Sequence, residues 1–380
     1  MEKIIIPISF VVDSDLPNAK KFKGPNRHSF DMDCPFCDGD RKMNVNTTKN
    51  VFRCNRCGQS GNALTLHTLL TKENDRKKAL KDLKRRYDGL ESSLKVAYSV
   101  PEETEPETPI ASIGFRDYVY SSLLKELTLS ERHHADLIKR GFTEEQIVAL
   151  GYKSAPETDK QAAEIAEKAL EGGFLFKYGN YPGFYLGDDH KPMFVRRRTG
   201  GYFIPVKTLE GEISGFQERN DPLPENTPKK WRDRYHKYSW VSSGDKETGS
   251  SVSGCENIHF AGDWSINHKV VYLTEGALKA DLASVLSGRP FIGLTGVNNL
   301  SQLKGNLDKL KKRGLEEIEI CVDMDYRDKP AVAKALNNIR EIILSCGLKY
   351  HTRTWSSEYK GIDDYLYAMK KEKEESKHAD

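Results

Sequence analysis

Two C-x-x-C pairs, Cys34/Cys37 and Cys54/Cys57, stand sixteen residues apart near the start of this 380-residue chain. No other feature restricts the local fold so tightly. The turn within each pair points both sulfurs the same way, so two pairs brought together across a hairpin complete a closed, tetrahedral zinc site. The intervening residues agree: "RKMNVNTT" and "NVFRC" read as strands flanking a turn at 47–50, the layout of a zinc ribbon. A knuckle this small cannot hold itself, and zinc would supply about 10 kcal/mol or more of folding energy. Free thiols or a redox pair are the alternatives for this spacing. His28 and His67 flank the segment, but four thiolates leave neither needed as a ligand.

The remaining cysteines, Cys255, Cys321 and Cys346, are scattered singly and read as reduced thiols rather than a disulfide framework. Lys plus Arg total 59 against 56 Asp plus Glu. That near balance conceals basic runs at 72–86 and 196–198 and acidic crowding at 102–107. No apolar run approaches the roughly 18 residues of a membrane helix, and "MEKIIIPISF" lacks a signal-peptide layout. A cytoplasmic protein without membrane contact is the expectation.

The length favours two or three domains. Residues 62–96 carry helical periodicity through Leu64, Leu66, Leu69, Leu70, Ala79, Leu80, Leu83 and Tyr87, with a basic polar face. This places a first domain at 1–98. "SVPEETEPETPI" is a Pro- and Glu-rich linker at 99–110. A helical module follows at 111–170, with a Gly141 stop and a Thr143 N-cap. His133 and His134, adjacent on a helix, point apart and read as surface or packing residues. From 171 to 267 the period turns to two, with turns at 199–201 and 210–211, giving antiparallel strands. From 268 to 370 strands and helices alternate, which argues a parallel sheet flanked by helices. The tail 371–380, "KEKEESKHAD", is highly charged, has no core of its own and reads as frayed or disordered.

Ligands of such sheets bind beyond the carboxyl ends of the strands. "KVVYLTEG" ends on Glu275, and "LEEIEICVDMD" ends on Asp323 and Asp325. Two aspartates two residues apart at a strand end face one side, and Glu275 reaches the same edge from a neighbouring strand. Carboxylates without His or Cys suit Mg²⁺ or Mn²⁺ rather than zinc. Lys279, a turn into the next helix, either reaches phosphates or covers the helix face. Asp363 and Asp364 in "KGIDDYL" either add a carboxylate or cap the last helix. Asp328 is a weaker candidate.

The string "CPFCDGDRKMNV…NVFRCNRCGQSGNALTLHTLL" resembles the N-terminal zinc-binding domain of bacterial and phage DNA primases. The matching residues are Cys34, Pro35, Phe36, Cys37, Cys54, Cys57, Gly58, Gly61 and Asn62; Cys37 stands where that family often has histidine. "LIKRGFTEEQI" resembles a helical module ahead of the core in primases of phages and mobile elements. "IPVKTLEGEISGFQER", ending on Arg219, and "KYSWVSS", with Lys237 and Tyr238, resemble primase strands whose basic residues meet template and nucleotide phosphates. The E-G…D-x-D order resembles the Toprim domain, and "TEGALKAD" its mobile-element variant.

The resemblance implies an α+β multidomain protein. A zinc ribbon and linker would precede a core made of a basic mixed α/β subdomain and an α/β Toprim domain. It implies metal-dependent synthesis of RNA primers on single-stranded DNA from nucleoside triphosphates, for a phage, plasmid or integrated element. Glu275, Asp323 and Asp325 would hold Mg²⁺ or Mn²⁺, with Lys279 beside them. Arg196, Arg197, Arg198, Arg219 and Lys237 would hold nucleotide and template, and Cys34, Cys37, Cys54 and Cys57 zinc. On the ribbon, Arg41, Lys42, Lys49, Arg53 and Arg56, with Phe52 among them, would touch phosphates and stack on bases. Each basic residue also reads as part of a solvated face. No G-x-x-x-x-G-K-(S/T) motif occurs, so a separate replicative helicase is the implied partner. A Toprim nuclease and a catalytically silent DNA-binding adaptor are the alternatives.

Overall fold

The computed structural model describes residues 5–24, 28–91, 94–95, 98, 110–170, 177–197, 199–232, 235–252, 255–296, 300–324 and 330–378. The chain forms two compact units: Met1–Pro109 with Gly244–Glu247, and Ile110–Ser243 with Thr248–Asp380. Most of the expected linker, 99–109, lies outside the described residues.

In the first unit, helix α1 (Ile8–Asp15) precedes β1 (Phe22–Lys23), β2 (Ser29–Met32), β3 (Met43–Asn46), β4 (Val51–Cys54) and β5 (Ser60–Asn62). These strands form an antiparallel sheet in sequence order. Alternation explains their faces: Met43, Val45, Phe52 and Cys54 are buried while Val51 and Arg53 face outward. Two helices follow, α2 (Ala63–Thr71) and α3 (Arg76–Asp88), N-capped by the side chains of Asn62 and Asp75. Their packing is pinned by charge as well as by apolar contact. His67, buried on α2, lies 2.6 Å from Asp15 Oδ2 on α1, whose other oxygen is 2.8 Å from Arg86 on α3.

The second unit begins with α4 (Ile113–Glu126), α5 (Glu131–Arg140) and α6 (Glu144–Leu150). Gly141, at φ +109, ends α5, and Thr143 opens α6 in a capping box with Gln146. After β6 (Lys153–Ser154) and α7 (Asp159–Ala169) comes a hairpin, β7 (Phe184–Leu186) and β8 (Pro192–Phe194). Strands β9 (Gly201–Lys207) and β10 (Ile213–Asn220), the short helix α8 (Lys229–Arg232) and β11 (Tyr238–Trp240) follow. They build an antiparallel sheet in the order β11-β10-β9-β6.

A five-stranded sheet completes the unit, in the order β12-β14-β13-β15-β16. Its strands are β12 (Ile258–Ala261), β13 (Val270–Glu275), β14 (Phe291–Leu294), β15 (Glu317–Cys321) and β16 (Lys349–Thr352). Between them run α9 (Ala277–Ser287), α10 (Leu303–Lys312) and α11 (Pro330–Ser345), and α12 (Ile362–His378) follows the last strand. The last four strands are parallel and β12 is antiparallel. Strand β12 precedes the expected boundary at 268, yet it hydrogen-bonds β14; four residues carry too little periodicity to announce it. Val271, Leu273, Ile292, Ile318, Ile320 and Ile339 form the core against the helices. The tail expected to be disordered is helical through His378. Lys and Glu are good helix formers, and Lys371 lies over the Tyr367 ring.

Helix α9 sits unusually close to its sheet. A Cβ on Gly293 of β14 would lie 2.8 Å from the Gly276 carbonyl oxygen and 2.9 Å from Ala280 Cβ. Gly293→Ala is therefore expected to push α9 outward and cost about 1–3 kcal/mol, read as a lowered unfolding midpoint in urea. The helix is also tied down by buried polar groups. Tyr152 donates its hydroxyl to Asp281 Oδ2 at 2.7 Å, and His259 Nε2 lies 2.9 Å from Asp281 Oδ1. The Lys207 N–H donates to His259 Nδ1 at 3.0 Å. Accepting there leaves the imidazole proton on Nε2, which donates to Asp281. One carboxylate thus joins α9 to β9, β12 and the residue before β6.

Candidate active site and cysteine centre

In the first unit the four sulfurs of Cys34, Cys37, Cys54 and Cys57 all lie within 4.8 Å of one another. Cys34 to Cys57 and Cys37 to Cys54 are each 3.8 Å. A zinc–sulfur bond of about 2.3 Å gives a tetrahedral edge of about 3.8 Å, so the four thiols fit zinc without rearrangement. Backbone N–H groups of Arg56 and Cys57 donate to Cys54 Sγ at 3.3 and 3.4 Å. The four-cysteine cluster fits a zinc ribbon.

In the second unit the register of β13 against β15 sets Thr274 opposite Cys321. Glu275, the next residue, and Asp323, just beyond β15, therefore share one edge of the sheet. Gly276 makes the turn into α9 at φ +80, a conformation costly for any other residue. Gly276, as N-cap, makes no side-chain cap for that helix, so among the described residues its N-terminal N–H groups and dipole are open to an anion. Gly276, Ala277 and Leu278 line a cavity of about 350 Å³, together with Glu275, Lys279 and Asp323. The same cavity is bounded by Arg140, Lys237 and Lys360, and by Asp363 and Asp364.

The charges in this cavity are tightly opposed. Lys279 donates to Asp323 Oδ1, and Lys360 Nζ lies 3.7 Å from Oδ2. Burial alone would lower the Lys279 pKa, but Asp323, Asp363 and Glu275 outweigh it and raise the value. Burial pushes the Asp363 carboxyl up to about 6, with Lys279 opposing and Asp364 and Asp323 adding to the rise. Asp363 Oδ1 is buried with no hydrogen-bond partner among the described residues. The Lys237 ammonium is shifted the other way: burial, then the positive charges of Arg219, Arg140, Lys360 and Lys279, depress its pKa. Such a concentration of cations is relieved by a polyanion.

Bacterial primases are the structural neighbours of this chain. The Aquifex aeolicus primase, zinc-binding and RNA polymerase domains, is 18% identical, with 96% of this chain and 81% of that one covered at a TM-score of 0.49. A DnaG primase catalytic domain bound to single-stranded DNA is 14% identical, with 68% and 79% covered at 0.43. A DNA primase domain from Pseudomonas aeruginosa is 17% identical, with 66% and 74% covered at 0.44. Residues 263–373 match a family described as a domain of unknown function, DUF3854. No curated protein matches the sequence. No helix among the described residues is long and apolar enough to cross a membrane.

The cavity gathers only part of the residues expected from sequence. Glu275, Lys279, Asp323 and Lys237 line it; Asp325 and Asp328 lie outside the described residues. Arg219 stands off the lining, its Nη2 3.6 Å from Asp136 and its guanidinium over the Tyr202 ring. Arg196 and Arg197 are engaged elsewhere, with Asp159 at 2.6 Å and with Glu218 at 3.0 Å; Arg198 lies outside the described residues. Phe52 corrects an expectation: it is 2% exposed in the core of the first unit and cannot stack on a base. Its place two residues before Cys54 puts it on the sulfur side of β4. Lys49, Arg53 and Arg56 are exposed, while Arg41 lies over the Phe22 ring at 4.0 Å. Of the histidines, His133 is buried between Ser154 and Asp221, and His134 reaches Glu144.

Sequence reading passed over Arg140 and Lys360. Arg140 ends α5 just before the Gly141 stop, and Lys360 opens the "KGIDDYL" string. Both signals were present as basic residues at element ends.

Glu218, beneath Arg197, carries a pH dependence. Burial lifts its carboxyl from 4.5 to about 7, against the lowering effect of Arg197. Between those values the unfolded chain is ionised while the native glutamate is not, so native stability falls as pH rises from about 4.5 through 7. At about 1.4 kcal/mol per pH unit the full loss is about 3 kcal/mol. Glu218→Gln is expected to be more stable than the parent at pH 8 by up to that amount. The two should coincide below pH 4.5, as read by urea unfolding across that range.

Proposed function

We propose that this chain is a DNA primase that joins nucleotides on single-stranded DNA in a metal-dependent reaction. The observation that carries this reading is the cavity beyond the parallel strands, where Glu275 and Asp323 meet Arg140, Lys237, Lys279 and Lys360. Carboxylates interleaved with lysine and arginine suit a metal-bound triphosphate. Glu275 and Asp323, with Asp325 two residues on, would hold Mg²⁺ or Mn²⁺. That ion would neutralise phosphate charge and lower the pKa of an attacking 3′-hydroxyl. The orphaned Asp363 Oδ1 offers a further hard oxygen to a cation.

The protein's own groups position the nucleotide. Lys237 and Arg140 hold the triphosphate, with Arg219 adding positive charge from behind. The uncapped start of α9 directs N–H groups at a phosphate oxygen. Lys279 and Lys360 neutralise the pyrophosphate that departs. The zinc ribbon offers exposed Lys49, Arg53 and Arg56 to the template backbone, and a separate helicase would deliver that template. Replication of a phage, plasmid or integrated element is the setting this reading favours.

The test is primer synthesis by zinc-replete protein on single-stranded DNA of mixed sequence, with labelled nucleoside triphosphates and Mg²⁺ or Mn²⁺. Short labelled products establish the activity. Bound but unextended DNA would turn the reading to an adaptor, and degraded template to a nuclease.

A further inference from the structure

The four described carboxylates lining the cavity, Glu275, Asp323, Asp363 and Asp364, are matched by four cations, Arg140, Lys237, Lys279 and Lys360. A divalent cation alone brings excess positive charge to this balance and a triphosphate alone excess negative charge; bound together, each offsets part of the other. The disturbance concentrates at Asp323, because both of its oxygens face lysine ammonium groups: Lys279 at Oδ1 and Lys360 at Oδ2. The Asp323 and Lys279 side chains are only 11% and 19% exposed, so water screens their attraction weakly.

Resting on the reading above, we infer that Lys279 and Lys360 occupy the cation seat on Asp323 until a triphosphate draws them away, so that metal and nucleotide enter the centre cooperatively. Lys279 and Lys360 approach from two separate elements, α9 and the loop before α12, and neither is anchored by Asp323 alone. Lys279 has a second seat at hand. A Cβ on Gly361 would collide with Asp363 Oδ1 and come within 3.1 Å of Lys279 Nζ, so the ammonium and that orphaned oxygen flank the same glycine. A bound phosphate or Asp363 can therefore receive Lys279 when Asp323 turns to a metal ion. The ammonium groups are competitors of the metal and partners of the nucleotide. Removing either must shift the two affinities in opposite directions, which is the signature of this arrangement.

The experiment measures each ligand alone on zinc-replete full-length protein. Mn²⁺ binding without nucleotide is followed by the paramagnetic resonance of the free ion, and ATP binding by calorimetry in buffer freed of Mg²⁺ and Mn²⁺ beforehand, with no chelator added that would strip the zinc. Lys279→Met and Lys360→Met are each expected to bind Mn²⁺ about tenfold more tightly than the parent, and ATP about tenfold more weakly. Unchanged or weakened Mn²⁺ binding in both variants overturns the inference, because lysines that merely hold Asp323 in place would give that result. If one variant fails to fold by circular dichroism, the other decides. Asp323→Asn separates the two levels of the argument. Parent-like Mn²⁺ affinity in Asp323→Asn would remove the metal centre itself. Lost Mn²⁺ binding there, with no gain in the lysine variants, would remove only the competition.

Discussion

Cys54→Ser is expected to release the metal of the ribbon and unfold the hairpin around it. Cys54 is fully buried, and its sulfur accepts from two backbone N–H groups while lying 3.8 Å from Cys37. A hydroxyl is a poor zinc ligand, and three thiolates around an incomplete ion leave the tetrahedron open. The chelate contributes about 10 kcal/mol or more to folding, several times what a truncated core residue does. The strands cannot compensate, because β3 and β4 contribute only Met43, Val45, Phe52 and Cys54 to the core they share with α1 and α2. Colorimetric chelation should count one zinc per parent chain and less than one per variant. Amide exchange should lose its protection across 43–62 and keep it in β13 and β15 of the other unit. Retained protection with the metal gone would mean that the apolar contacts suffice without it.

Asp323→Asn should reduce nucleotide transfer by about a thousandfold or more, the scale of losing a group that acts on charge in the transition state. The amide keeps the shape but gives up the charge that would hold the metal. The fold should survive, because Asp323 lies past the end of β15 and contributes no strand hydrogen bond between Glu317 and Cys321. Lys279 loses its charged acceptor but keeps Asp363 and Glu275 nearby. DNA binding, if it runs through the exposed Lys49, Arg53 and Arg56 as proposed, should therefore stay within about twofold, since none of the three lines the cavity. Primer synthesis and DNA affinity measured side by side check this. Parent-like synthesis would refute the role given to Asp323.

Much of the fold was legible because its periods are strong. Alternation in "RKMNV" and "NVFRC" located β3 and β4, and Gly141 with Thr143 marked the break between α5 and α6. The apolar strings ending in Glu275 and Asp323 located β13 and β15. Less legible were elements whose signal is short or shared. Strand β12 spans four residues, and its partners across the sheet come 30 to 36 positions later, at Phe291 to Leu294. The final helix hid in a tail whose charges signify equally a solvated helix and a disordered end.

The candidate site divides in the same way. Spacing sufficed for the cysteine cluster, because a hairpin of this length brings the two pairs together by local chain geometry. Spacing also put Glu275 and Asp323 at one sheet edge, since parallel strands present their carboxyl ends on the same side. The sequence could not choose among the basic residues. Three consecutive arginines look more prominent than Arg140 or Lys360, yet Arg196 and Arg197 spend their charge on Asp159 and Glu218. Arg140 and Lys360 come to the cavity from positions 220 residues apart. Which charges neutralise one another and which remain facing a cavity depends on contacts across the folded chain, where burial and distance set electrostatic strength. Chain order determines the elements and the ends of strands; only tertiary packing decides which lysine sits on Asp323.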